Sequence, residues 1–213
     1  TEASPYAEQG AECQQNFAIL VTDGADNVAF VTSGNTVTGI ANTDGDANTA
    51  FDGGKYADTS ENTLADIAME YYENDLAPDI GNMVPDEANH QHMVTYTVAF
   101  GVEGTISFDP DCPPNCPGSV LSEWPAWPAI SSGTPNNATE EAKRIDDLWH
   151  AAINGRGKFI SAKSTQQLVD ALTSITADIG KRTGPGSAVA LNSQKLQAGT
   201  FLYGGLGRRC AGL

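Results

Sequence analysis

The carboxylate of Asp23 follows a run of five apolar residues, Phe17 to Val21, in the stretch NFAILVTDG at 16–24. Such a run reads as a strand buried on both faces, the usual situation in a parallel sheet. Asp23 then falls just past the strand's C-terminal end, the edge where open α/β sheets bind ligands. An acid there can hold a hard cation, and Gly24 lets the backbone turn. The same residues also make an ordinary Asp-Gly turn. Further along, Asp44, Asp46 and Asn48 place oxygen side chains at alternate positions, with Asp52 as a possible fourth. This resembles the first half of a calcium loop. An EF-hand would want Gly at Thr49 and Glu at Lys55, so a solvated Asx-rich turn is the alternative. His90 and His92 stand on one face of an extended segment, a pattern compatible with zinc, or else a polar start to a strand. Asp146 and Asp147 lie four and three residues before His150 and can reach it along a helix. A helix-surface ion pair explains that spacing more simply than acid–base catalysis. No nucleophile stands with a base and an orienting group, and there is no G-x-S-x-G or phosphate loop.

The elements that must position these groups emerge from periodicity. Leu64, Ile67, Ala68 and Tyr71 form one apolar helical stripe, stopped by Pro78. MVTYTVAFGV at 93–102 is a second strand, apolar on both faces. Ile145, Leu148, Trp149 and Ala152 mark another helix that Asn154-Gly155 ends. A short strand follows at 158–162. Ser164 caps the next helix, with Gln167 completing a capping box. That helix buries Leu168, Leu172, Ile175 and Ile179, and Lys181 and Arg182 suit its electronegative end. Strand–helix order, three times over, predicts an α/β fold: a parallel sheet flanked by helices. Three strands are few for such a sheet, so one edge is expected to lack partners.

The bulk numbers limit the function. The chain has 213 residues and a formal charge of −16 with 11 Lys and Arg, so a nucleic-acid partner is not expected. No apolar run approaches the roughly 20 residues that span a bilayer. The chain starts at Thr1 rather than Met and reads as a mature product or a fragment. Cys112 and Cys116 sit in a Pro-rich loop without the second Cys or His pair of a zinc site. A local disulfide there would favour an oxidising compartment, with free thiols the alternative. Trp124-Pro-Ala-Trp127-Pro128 could bind a partner or fold back over the helices, and packing is the preferred reading.

The stretches CQQNFAILVTDG (13–24), NTDGDAN (42–48), ADIAMEYYENDL (65–76), QHMVTYTVAFGV (91–102) and RIDDLWHAAINGRGKFISA (144–162) carry a resemblance. The chain resembles the second half of a von Willebrand factor A domain, and more closely the PilY-type proteins of type IV pilus biogenesis and tip adhesion. The resemblance implies a Rossmann-type sheet with a divalent cation, magnesium or calcium, at its top. Asp23 matches one ligand of that site by position. The others, an Asp-x-Ser-x-Ser loop and a Thr, have no counterpart in this sequence, so the site is supplied only in part.

The expected organisation is a polar segment at 1–15 and a partial von Willebrand A-like domain at 16–183, with inserts at 25–59 and 103–138. A linker and the start of a β-propeller-like domain follow at 184–213. The ending GGLGRRCAGL departs from the family pattern, which continues into further strands. The implied function is a non-enzymatic binding and assembly module. Its partners would be minor pilins or a surface ligand, and its location the cell surface, pilus tip or outer membrane after export. A purely structural tip-assembly domain is the second reading, and a metal-dependent hydrolase the third.

Overall fold

The computed structural model describes residues 11–24, 40–106, 126–130 and 135–183, with the backbone of two short strands beyond. The elements in chain order are β1 (Asn16–Thr22), α1 (Leu64–Glu73), β2 (Met93–Phe100), α2 (Ala138–Asn154), β3 (Arg156–Ala162) and α3 (Thr165–Arg182). An antiparallel pair follows, β4 (Val189–Leu191) with β5 (Leu202–Gly204).

The three long strands make one parallel sheet in the order β1-β2-β3. The α/β architecture expected from strand–helix alternation is therefore present. β2 is central, and its residues from Val94 to Ala99 are all buried. Alternation divides them between two cores. Val94, Tyr96 and Val98 pack with Ala162 and with Ala171 and Ile175 of α3. On the other face, Ala99 joins Phe159 and the α2 stripe of Ile145, Leu148, Trp149 and Ala152. Polar ties reinforce both sides. The Tyr96 hydroxyl donates to Asp178 of α3 at 2.8 Å, and the Thr97 hydroxyl donates to the Leu148 carbonyl at 2.7 Å.

β1 departs from the sequence expectation. It was to be buried on both faces, but Ile19, Leu20 and Val21 are 41%, 38% and 51% exposed. The cause is its position: among the described residues β1 pairs with β2 alone and forms one edge of the sheet. Since Leu20 points opposite to Ile19 and Val21, both faces of the strand are uncovered. The helix α1 differs by one position. Its buried face runs through Ala65, Ala68, Met69 and Tyr72, while Tyr71 is exposed. It also ends at Glu73, capped by Asn74, before Pro78 is reached. In α3, Leu168, Ala171, Ile175 and Ile179 face the sheet, and Leu172 is 37% exposed.

Two glycines make the α2–β3 junction possible. A side chain at Gly155 would meet Thr95 Cβ at 2.5 Å, and one at Gly157 would meet the Thr95 carbonyl oxygen at 2.0 Å. The backbone of this turn therefore lies directly on β2, and the Thr95 amide donates to the Gly155 carbonyl.

Candidate functional site

The C-terminal edge of the sheet carries Asp23. Thr22 pairs with Ala99, so Asp23 stands beyond the strand end, beside the point where β2 stops at Gly101. The Thr22 hydroxyl is used within the turn: it donates to the Gly24 carbonyl at 2.7 Å and accepts from the Gly24 amide. Asp23 itself is exposed. One exposed carboxylate does not make a magnesium site, which demands six near-octahedral oxygens. Among the described residues no three His, Cys, Asp or Glu side chains converge to hold a metal. The described residues thus offer a cation one protein ligand at this edge.

A second polar centre lies inside the protein, where α2 meets the loop leading into α1. The imidazole of His150 is 1% exposed. Its Nε2 sits 2.6 Å from the Tyr56 carbonyl and 3.3 Å from Asp44 Oδ2, and its Nδ1 sits 3.5 Å from Asp58 Oδ2. Asp44 is fully buried; it accepts from Asn154 Nδ2 at 2.8 Å and from the Asp58 amide at 3.2 Å. Asp147 accepts from the Leu64 and Ala65 amides at 2.9 and 3.2 Å. Thr63 and Asp66 form a capping box, and Ile67 donates to the Thr63 carbonyl. All four free amides at the start of α1 are thereby satisfied, two of them by a side chain 82–83 residues away.

Three carboxylates, Asp44, Asp58 and Asp147, thus surround one imidazole. Burial pushes Asp44 up to about 6, against the lowering effect of His150. Burial also raises Asp147 to about 6, despite its amide hydrogen bonds. Burial alone would lower His150, but Asp58, Asp44 and Asp147 hold it above the ordinary histidine value. A charged imidazole with two N–H donors matches the contacts on both ring nitrogens. The arrangement has no open face for a substrate, because Trp127 covers the imidazole at 4.3 Å in a stacked geometry. Its chemistry is structural: it ties loop 40–63 to α2.

Three curated relatives, all type IV pilus biogenesis factors PilY1 of Pseudomonas aeruginosa, match the chain. The protein of strain PAK is 32% identical over 210 residues, which is 85% of this chain and 17% of the relative. That of strain UCBPP-PA14 is 31% identical over 215 residues, 88% of this chain and 18% of the relative. This chain belongs to the PilY-type proteins. It spans less than a fifth of the length of these relatives. No family model matches it, and no solved structure does.

The distinctive PilY-type run, DDLWHAAINGRGKF, can now be read residue by residue. Asp146 accepts from the Thr105 and Ile106 amides at 2.9 and 3.1 Å and from the Thr105 hydroxyl. A side chain at Gly104 would overlap Asp146 at 1.8 Å. Asp147 and His150 share the buried centre. The expectation of a helix-surface pair therefore fails: all three side chains are buried, because loops from both sides fold over this face of α2. Arg156 holds a positive φ of 55° and lies over the rings of Tyr56 and Tyr72 at 3.8 and 4.3 Å. Its guanidinium donates to the Asn154 and Phe51 carbonyls.

The remaining candidates fall elsewhere. The calcium-loop residues are not brought together. Asp44 turns into the core, whereas Asp46 and Asn48 are exposed and bond each other at 2.9 Å. Asp52 accepts from the Thr49 amide at 2.9 Å. His90 contacts the Tyr72 carbonyl at 2.9 Å, and His92 contacts the His90 carbonyl at 2.9 Å and Asp86 at 3.5 Å. Trp127 packs as expected, edge-on to Trp149 at 5.5 Å, and its indole N–H donates to the Lys55 carbonyl at 2.7 Å. Trp124, Cys112, Cys116 and the ending with Cys210 lie outside the described residues. Cys13 is disulfide-bonded. Sequence reasoning missed the burial of Asp44, Asp58 and Asp66. Thr63 three residues before Asp66 was the available signal, a capping pattern with Asp in place of Glu.

Proposed function

We propose that this chain is a binding and assembly module of a type IV pilus biogenesis protein, without catalytic activity of its own. The observation that carries the reading is its 31–32% identity to PilY1 proteins over 85–88% of its length. The disulfide at Cys13 agrees with export to an oxidising compartment, and a place at the cell surface or pilus tip follows. The partners on this reading are minor pilins or a surface ligand.

The fold is read as part of a von Willebrand A-like domain. Support comes from β1, which has the composition of a central strand but the exposure of an edge. In the complete protein a further strand would pair with β1, and the cation site at Asp23 would take its remaining ligands from that added part. A partly hydrated cation there could exchange water for a carboxylate of the ligand. The antiparallel pair β4–β5 would begin the next, β-propeller-like domain.

Substituting Asp23→Ala in the complete protein tests the cation role. The folded state should be unaffected, since Asp23 is exposed, while magnesium binding and surface adhesion should both weaken. Unchanged magnesium binding would refute the role and favour the second reading, a structural tip-assembly domain. The buried Asp44–Asp58–His150 centre, which serves only to hold loops, gives that second reading its support.

A further inference from the structure

The end of α1 holds a hydrogen-bonding deficit. Glu73 is 6% exposed, and its Oε1 has no hydrogen-bond partner. Its Oε2 lies 2.8 Å from the Thr49 hydroxyl. The same hydroxyl lies 3.1 Å from Asp52 Oδ1, and the Phe51 amide donates to it at 3.2 Å. A hydroxyl has a single proton. It can therefore donate to one of the two carboxylates and not to both. The Thr49 hydroxyl stands between the Asp52 and Glu73 carboxylates. Two acidic groups thus meet around one donor, and one buried oxygen has nothing to bond.

The guanidinium of Arg156 is engaged with the Phe51 carbonyl and the Tyr72 ring, and among the described residues no ion pair ties it to either carboxylate. The last turn of α1 contains no Lys or Arg, and the carbonyl end of a helix adds negative potential. Asp46 contributes a further negative charge nearby. Neutral partners cannot correct a pair of carboxylates packed this way; a proton or a cation can.

We propose that the Asp52–Glu73 pair is a calcium site that fastens loop 44–53 to the end of α1. Both carboxylates and the Thr49 hydroxyl are hard oxygen donors, and calcium tolerates an irregular set completed by water. Magnesium, with its stricter octahedron, fits less well. With two protein carboxylates the affinity belongs to the weak class of extracellular modules, with Kd on the order of 10⁻⁴–10⁻³ M. This site is separate from Asp23 and does not depend on the pilus reading. It also differs from the linear calcium-loop pattern: Asp44 leaves the set, and Glu73 enters from a helix 21 positions beyond Asp52.

Thermal unfolding of the chelator-treated chain, titrated with calcium chloride, tests the proposal. The unfolding midpoint should rise as calcium passes through the millimolar range, and an equal concentration of magnesium should raise it less. Glu73→Gln removes the charge while preserving shape and hydrogen bonding. This variant should be at least as stable as the calcium-free parent and should lose the response. Asp52→Asn should lose it too, which guards against a Glu73 variant that fails to fold. Asp23→Ala should retain it. A parent midpoint indifferent to millimolar calcium would assign the pair to a shared proton and overturn the proposal. So would a response of equal size in Glu73→Gln and Asp52→Asn.

Discussion

His150 and Asp147 concentrate the stability of the loop–helix junction in two side chains. Removing His150 leaves Asp44 and Asp58 buried without their cationic partner, and breaking a buried pair in this way costs about 3–5 kcal/mol. His150→Ala should therefore strongly destabilise the protein in denaturant titrations at pH 8. The loss should shrink near pH 5, where Asp44 and Asp147, raised to about 6, can neutralise themselves. Asp147→Leu should orphan the Leu64 and Ala65 amides, at roughly 1–3 kcal/mol per donor. Asp147→Asn, which keeps an acceptor, should cost less. The pH dependence has a definite sign. Asp44, Asp147 and His150 all have raised values in the folded state, so their contribution is present at low pH and is lost as pH rises through those values. Glu73, pushed by burial up to about 8, extends the loss into the alkaline range. Asp86 and Asp178 are held low: burial opposes this, but His92 and Lys158 outweigh it. Their contribution disappears only as pH falls below the ordinary carboxylate range. Unfolding midpoints in calcium-free buffer should therefore be highest between about pH 4 and 6 and decline toward pH 9. A midpoint that climbs steadily from pH 5 to 9 would contradict the assignment.

At the scale of elements, β1 and β2 look alike in sequence and differ in environment. Both are apolar runs, and local pattern predicts burial for each. Burial is set by neighbours, however, and β2 has a strand on either side with a helix over each face, while β1 has a single partner among the described residues. The same reasoning explains which features were legible. The stripes of α2 and α3 are local and strong, and β3 is bounded by glycines and a capped helix. The α1 stripe differs by one position, since Tyr71 and Tyr72 are equally apolar by type and only tertiary packing, against Phe51, His92 and Arg156, chooses between them. The burial of Asp44 and Asp66 was illegible for a related reason. Acids in a Gly-, Asn- and Asp-rich stretch read as solvated, and their partners, Asn154 and His150, lie far along the chain. The position of Asp23 past a strand end could be read, and so could the lack of companion ligands for it in this sequence. The state of β1 leads to a paired experiment. Val21→Lys in this chain should change stability by no more than about 0.5 kcal/mol, as for other exposed positions. In the complete protein, where the edge is proposed to be covered, burying that charge should destabilise the domain by several times as much, read by denaturant titration. Equal effects in both contexts would mean that β1 remains an edge.

For the molecule as a whole, the PilY-type relationship and the disulfide at Cys13 suit a place in the cell envelope or at its surface. The long PilY-type run is occupied by structural duties: capping α1, closing the 102–106 loop, seating Gly155 and Gly157 on β2. The proposal for the whole molecule is that this region serves pilus assembly and attachment. It is tested most directly by deleting residues 16–183 from the complete protein in its own cell and counting surface pili and adherent cells against the intact strain. Pili or attachment should be lost while the truncated protein is still exported. Normal piliation together with normal attachment would contradict it.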